Sequence, residues 1–162
     1  MTDFFNKTDL SRNDAEKIIS ETLNNCDDGE LYLENSKSES IVLDDDKIKS
    51  SNYSSDLGYG LRAVTGEVVA YSHSNEISKN SLKQSADNLS STLKSKKGVY
   101  NHEIPKTNEK FYKDINPIEE KSLQSKLELL KEVNNYTRAK GGIVQQVTAS
   151  FSGEHKSIEI IR

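Results

Sequence analysis

Tryptophan is missing from this chain of 162 residues, cysteine and methionine occur once each, and proline only twice. A lone cysteine, Cys26, cannot staple its own chain, which suits a reducing compartment. As a nucleophile it would need a base and an orienting partner, and its place beside Asp27 and Asp28 disfavours a thiolate, so it reads as structural filler. Positive charge is also short: 22 Lys and Arg stand against 26 Asp and Glu, a net charge of −4. A nucleic-acid surface needs clustered cations to displace counterions, so nucleic acid is not an expected partner. No apolar run approaches the roughly 18 residues of a membrane-crossing helix. The opening M-T-D-F-F-N-K-T-D carries acidic residues where a signal peptide has a basic segment followed by an apolar one. The expectation is a cytoplasmic protein without membrane partners.

Hydrophobic residues make up 33% and charged residues 30%, the polar end of the globular range. Much of the polar load is Ser, Asn and Lys between apolar stretches, which implies a modest core with long solvated connections. The length is that of one domain, 1–162, and suffices to bury a core.

The most ordered stretch runs from Leu57 to Ile77, L-G-Y-G-L-R-A-V-T-G-E-V-V-A-Y-S-H-S-N-E-I. It predicts two strands joined by a tight turn at Thr65-Gly66, where glycine supplies a positive φ. Leu57, Tyr59, Leu61 and Ala63 share one face of the first strand, and Gly58, Gly60, Arg62 and Val64 the other. On the second strand Val69, Tyr71 and His73 alternate with Val68, Ala70 and Ser72. Two glycines on one face predict that another element lies close against it.

Around this hairpin, Ser11 is expected to cap a first helix whose inward face is Ala15, Ile18, Ile19 and Leu23. Residues 30–37 and 38–43 read as two strands with a reversal between them, and the chain stays extended through 48–53. Ser78 caps a second helix with an apolar stripe of Leu82, Ala86, Leu89 and Leu93, and 94–113 reads as a surface loop. Asn116-Pro117 opens a third helix that buries Leu123, Leu127, Leu130 and Val133 and stops at Gly141-Gly142. Residues 143–151 predict a strand, Ser152-Gly153 a turn, and 154–161 its partner. The fold class is therefore α+β: an antiparallel sheet with three helices in the order α-β-β-β-β-α-α-β-β. Because the sequence stops at Arg162 inside an apolar run, it reads as the amino-terminal piece of a longer protein.

Three stretches together resemble the TldD/PmbA family of metallopeptidases: the hairpin, D-G-E-L-Y-L-E-N-S-K-S-E-S-I-V-L-D-D-D-K-I-K at 28–49, and V-Q-Q-V-T-A-S-F-S-G at 144–153. The last is closer to the TldD branch, and the three are spread over most of the chain, from 28 to 153. The resemblance implies a cytosolic zinc-dependent peptidase acting on unfolded peptides, a heterodimer with a PmbA-type subunit, and zinc ligands in a domain beyond these residues. This part would then shape the cavity or the subunit interface. A rival reading is a free-standing interaction or adaptor module without peptidase activity; an H-E-x-x-x-H motif beyond Arg162 would decide between them.

The residues themselves carry little catalytic chemistry. The family's zinc motif H-E-x-x-x-H finds only His102-Glu103, with Thr107 where the second histidine belongs and Pro105 breaking the required helix. His73 and His155 are too far apart in sequence to suggest a site. Asp44-Asp45-Asp46 lacks the alternating oxygens of a calcium loop and reads as a solvated turn. G-Y-G-L-R-A is followed by a strand, so it is not a dinucleotide fingerprint. Arg62, on the glycine face, can fork onto a carboxylate or a peptide carbonyl, or simply bridge to Glu67 or another sheet neighbour. Tyr59 and Tyr71 read as a cross-strand pair. The candidate substrate- or partner-contacting residues are Arg62, Gly58, Gly60, Tyr59 and Tyr71.

Overall fold

The computed structural model describes residues 4–6, 8–93, 98, 111–113 and 115–162. Its elements are α1 (Arg12–Leu23), β1 (Asp28–Asp44), β2 (Lys47–Thr65), β3 (Val68–Ser74), α2 (Lys79–Leu93), α3 (Pro117–Glu120), α4 (Leu123–Arg138) and β4 (Thr148–Ile161). The strands form one four-stranded antiparallel sheet in the order β3-β2-β1-β4, so the α+β class holds.

Two expected reversals are absent. Residues 30–37 and 38–43 belong to the single strand β1, and 148–161 to the single strand β4. The buried positions explain both. Leu31, Leu33, Glu39, Ile41 and Leu43 are all odd-numbered, as are Ala149, Glu159 and Ile161. A continuous strand keeps this period of two, whereas a two-residue turn would shift its phase. Ile143 is 88% exposed and outside any strand, contrary to the expectation for 143–151.

By its internal contacts the chain divides into two compact units, one of Met1–Asn35, Asp56–Lys113 and Ser157–Arg162, the other of Ser36–Ser55 and Asp114–Lys156. In the first, both predicted helices form as expected. The Ser11 hydroxyl accepts from the Asp14 N–H at 3.1 Å, and the Ser78 hydroxyl from the Ser81 N–H at 3.1 Å. The stripes Ala15, Ile18, Ile19, Leu23 and Leu82, Ala86, Leu89, Leu93 meet Leu31, Leu33, Leu61, Ala63 and Ala70 in one core. Each fully buried leucine there contributes roughly 1.5–3 kcal/mol. Cys26 lies in this core, 3% exposed.

In the second unit, β1 and β2 meet at Asp45-Asp46, whose φ angles of 46° and 63° are the paired positive values of a type I′ hairpin loop. The third helix is two helices. Lys121 is extended (φ −117°, ψ 140°), and Ser122 caps α4 by accepting from the Ser125 N–H. The buried row of α4 is Lys126, Leu130 and Asn134, whereas Leu123 is 49% and Val133 44% exposed, so the expected apolar face is rotated. Lys126 is tolerated because its ammonium donates to Glu39 and to the Ile118 carbonyl oxygen. Leu130 completes a small core with Ile41, Leu43 and Ala149. The expected loop at 94–113 falls largely outside the described residues.

Candidate functional site

The β2–β3 hairpin pairs Gly60 with His73, Arg62 with Tyr71, Val64 with Val69 and Thr65 with Val68. The loop is therefore Gly66-Glu67, one residue later than expected, with Gly66 at φ +59°. Glycine first in a two-residue loop is the type II′ arrangement. The loop is tied down from the segment after α1: the Gly66 N–H donates to Asp27 Oδ2 at 2.6 Å, and the Asp27 N–H to the Val64 carbonyl oxygen at 2.7 Å.

Alternation sorts the candidate residues onto two faces. Tyr59, 5% exposed, belongs to the helix-covered face, where its hydroxyl is hydrogen-bonded to Ser81 and Ser85 of α2, both at 2.9 Å. Tyr71 is 64% exposed on the opposite, outer face and stacks on His73 with ring centroids 5.8 Å apart. The expected Tyr59–Tyr71 pair therefore does not form: their positions in the register have opposite parity.

The glycine face is closely covered, as expected, but by this chain's own hairpin. A Cβ on Gly60 would lie 2.5 Å from Tyr71 Oη, and one on Gly58 2.8 Å from the Ser74 carbonyl oxygen. Arg62, beyond the glycines, donates from Nη1 to Asp28 Oδ2 on β1 at 3.0 Å. It bridges to a sheet neighbour, and that neighbour is Asp28 rather than Glu67. Burial pushes the Asp28 carboxyl up, but the hydrogen bonds from Arg62 and the Gly29 N–H, with the charges of Arg62 and Arg162, hold it below its usual range.

Gly58, Gly60 and Tyr71 border a groove of about 370 Å³ that also takes in Tyr32, Glu34, Asp56, Ser74 and Asn75. Tyr32 donates its hydroxyl proton to Glu34 Oε2. Burial, that hydrogen bond and the neighbouring charge of Glu34 push the Tyr32 phenol up to about 12. Arg62 is not among the lining residues, so the structure gathers four of the five candidates, Gly58, Tyr59, Gly60 and Tyr71, around the opening and directs Arg62 to an ion pair. Tyr32, Glu34 and Asp56 were missed. The alternation of Tyr32 and Glu34 with buried Leu31 and Leu33 places them on the outer face, but nothing local shows which strand lies beside them.

Among the described residues no three His, Cys, Asp or Glu side chains gather as a metal site, so these residues do not fit zinc. His102-Glu103 lies outside them. His73 is exposed and His155 partly buried. Asp45 and Asp46 form the turn already described, and among the described residues no helix is long and apolar enough to cross a membrane.

Comparison with known proteins places these features. Residues 29–93 match the family described as PmbA/TldA metallopeptidase domain 1. The chain is 36% identical over 133 residues to a metalloprotease TldD homolog of Buchnera aphidicola, covering 82% of this chain and 28% of that protein. It is 33% identical over 143 residues to the homolog of Haemophilus influenzae, covering 85% and 29% respectively. The matched segment thus spans under a third of these relatives. In fold it is similar to TldE from Thermococcus kodakarensis (TM-score 0.58, 11% identity, 91% of this chain, 34% of that one). It is also similar to a putative modulator of DNA gyrase from Bacteroides thetaiotaomicron (TM-score 0.57, 20% identity, 89% and 37%).

Proposed function

This chain belongs to the TldD/PmbA family through its first domain, and from that premise we propose that it forms the amino-terminal, non-catalytic part of a TldD-like zinc metallopeptidase. The parent enzyme is cytoplasmic, pairs with a PmbA-type subunit, and cleaves unfolded peptides with zinc held by ligands outside these residues. The observation that carries the reading is the identity of 36% over 82% of the chain to a protein named for that activity. This part shapes the peptide path or the subunit interface. β3 ends the sheet order, and an edge strand can take an extended chain through backbone hydrogen bonds whatever its side chains are. Sequence-blind contacts of that kind suit an enzyme of unfolded peptides.

The test uses the parent protein with and without its PmbA-type subunit, an unfolded peptide and a chelator. Hydrolysis should need both subunits, stop on chelation and return with zinc, while the 162-residue chain alone leaves the peptide intact. Hydrolysis by the 162-residue chain, or hydrolysis indifferent to chelation, overturns the reading.

A further inference from the structure

Helix α4 is turned against the usual rule for a surface helix, which keeps its apolar stripe inward and its polar residues out. Two of the three residues in its buried row, Lys126 and Asn134, are polar. Leu129, Val133 and Tyr136 are 50%, 44% and 66% exposed. Spacings of four and three residues set these side chains in one stripe along the helix, on the flank of the buried row. The Lys140 ammonium sits over the Tyr136 ring, 4.0 Å from its centroid. The unit that contains α4, Ser36–Ser55 and Asp114–Lys156, has a small core to set against this exposure. Ile41, Leu43, Leu130 and Ala149 are buried there, with Leu127 and Phe151 partly buried against them. A unit of roughly 60 residues is marginal in stability without further apolar burial.

We propose that the Leu129–Val133–Tyr136 stripe is a domain-docking surface, covered by the part of the parent chain that follows Arg162. This rests on the reading of the chain as the amino-terminal part of a longer enzyme, and it names where the rest of that enzyme packs. Length and area select this occupant. The matched segment is 28% and 29% of the two curated relatives, so about two-thirds or more of such a chain lies outside it. Three half-exposed side chains bury on the order of a few hundred Å². A stable complex between separate chains, a second copy included, needs about 800 Å² on each partner. A contact between domains of one chain functions at roughly 600–1,500 Å² in total, and the covalent link holds its two sides at high effective concentration. A lasting cover of this kind also supplies the apolar burial that the small core lacks. The docked face is apolar, with the free side of the Tyr136 ring as its broadest contact.

The experiment places benzoylphenylalanine at position 136, aromatic for aromatic, in the parent enzyme assembled with its PmbA-type subunit. A control probe replaces Lys131, exposed on another side of α4. After irradiation the adducts are mapped by mass spectrometry, and the mapping is repeated on the parent alone. Position 136 should reach residues beyond 162 of its own chain in both preparations, and position 131 should not. Adducts confined to the PmbA-type subunit or to a second copy, silence at 136, or equal yields from 136 and 131 overturn the proposal. Val133→Lys in the parent gives an independent reading. Lysine is the better helix former, so at a solvated position the exchange is neutral or favourable. Beneath a docked domain it sets an ammonium in an apolar contact, and the thermal midpoint of the parent should fall by about 5 °C or more. An unchanged or raised midpoint overturns the proposal. Peptide hydrolysis is measured on the same assembled preparation. Normal hydrolysis with a silent position 136 removes the docking surface and leaves the peptidase reading intact. Absent hydrolysis removes the peptidase reading, and the adduct map still decides what covers α4.

Discussion

Replacing Gly66 with valine separates backbone strain from every other effect of a side chain. A Cβ at this position meets nothing within 4 Å, so no clash arises, and the N–H that donates to Asp27 Oδ2 is retained. What changes is the cost of φ +59°. An L-residue there costs about 1–2 kcal/mol, and β-branching raises it, against roughly 0.4–1 kcal/mol regained because any side chain restricts the unfolded chain. The net loss for Gly66→Val is about 1–3 kcal/mol. With a urea slope of about 2 kcal/mol/M, the midpoint should fall by roughly 0.5–1.5 M. Gly66→Asn should lose least, because asparagine tolerates this region, and Gly66→Ala should fall between the two. A valine midpoint equal to wild type, or an asparagine midpoint as low as valine's, would refute the strain argument.

The two outer-face glycines should respond differently to alanine. At Gly60 the obstacle is the far end of an exposed Tyr71 side chain, so Gly60→Ala should cost under about 1 kcal/mol; at Gly58 it is the Ser74 backbone, so Gly58→Ala should cost about 1–3 kcal/mol by urea denaturation. Lys126→Met strands the buried Glu39 and should cost roughly 3–5 kcal/mol, whereas Lys126→Met with Glu39→Leu should recover most of the loss. Tyr32, with its folded phenol near 12 against an ordinary 10, contributes stability that is complete below pH ~10 and is lost as pH rises towards ~12. Absorbance at 295 nm should show one late-titrating tyrosine that Tyr32→Phe removes. Arg62→Asp should destabilise the domain by setting two carboxylates together, and adding Asp28→Arg should restore part of the loss in the same assay.

The elements legible in the sequence were those whose apolar residues carry the whole pattern. The stripes of α1 and α2 and the alternation around Leu61 and Ala63 needed no tertiary knowledge, because burial follows directly from spacing. β1 and β4 were each broken in two because their middles, Asn35 to Ser38 and Ser152-Gly153, are polar enough to resemble turns. Their phase, odd-numbered throughout, held the information. The face of α4 was misread because tertiary partners, Glu39 and the Ile118 carbonyl oxygen, allow Lys126 to be buried while Val133 stays exposed. The glycine face and Tyr71 of the groove were visible locally. Tyr32 and Glu34 were not, since strand pairing that joins residues some 25 to 40 positions apart leaves no local trace.

The central claim, that the outer face of the hairpin borders the peptide path or the subunit interface, is tested most directly by a photoreactive benzoylphenylalanine at position 71. The parent enzyme, assembled with its PmbA-type subunit, is irradiated with an unfolded peptide present, and the adducts are read by mass spectrometry. A matched probe replaces Lys17 on the exposed side of α1, where the side chain is 75% exposed. The account predicts adducts from position 71 to the peptide or to the partner subunit, and none from position 17. A silent position 71, or equal adducts from both positions, would contradict it.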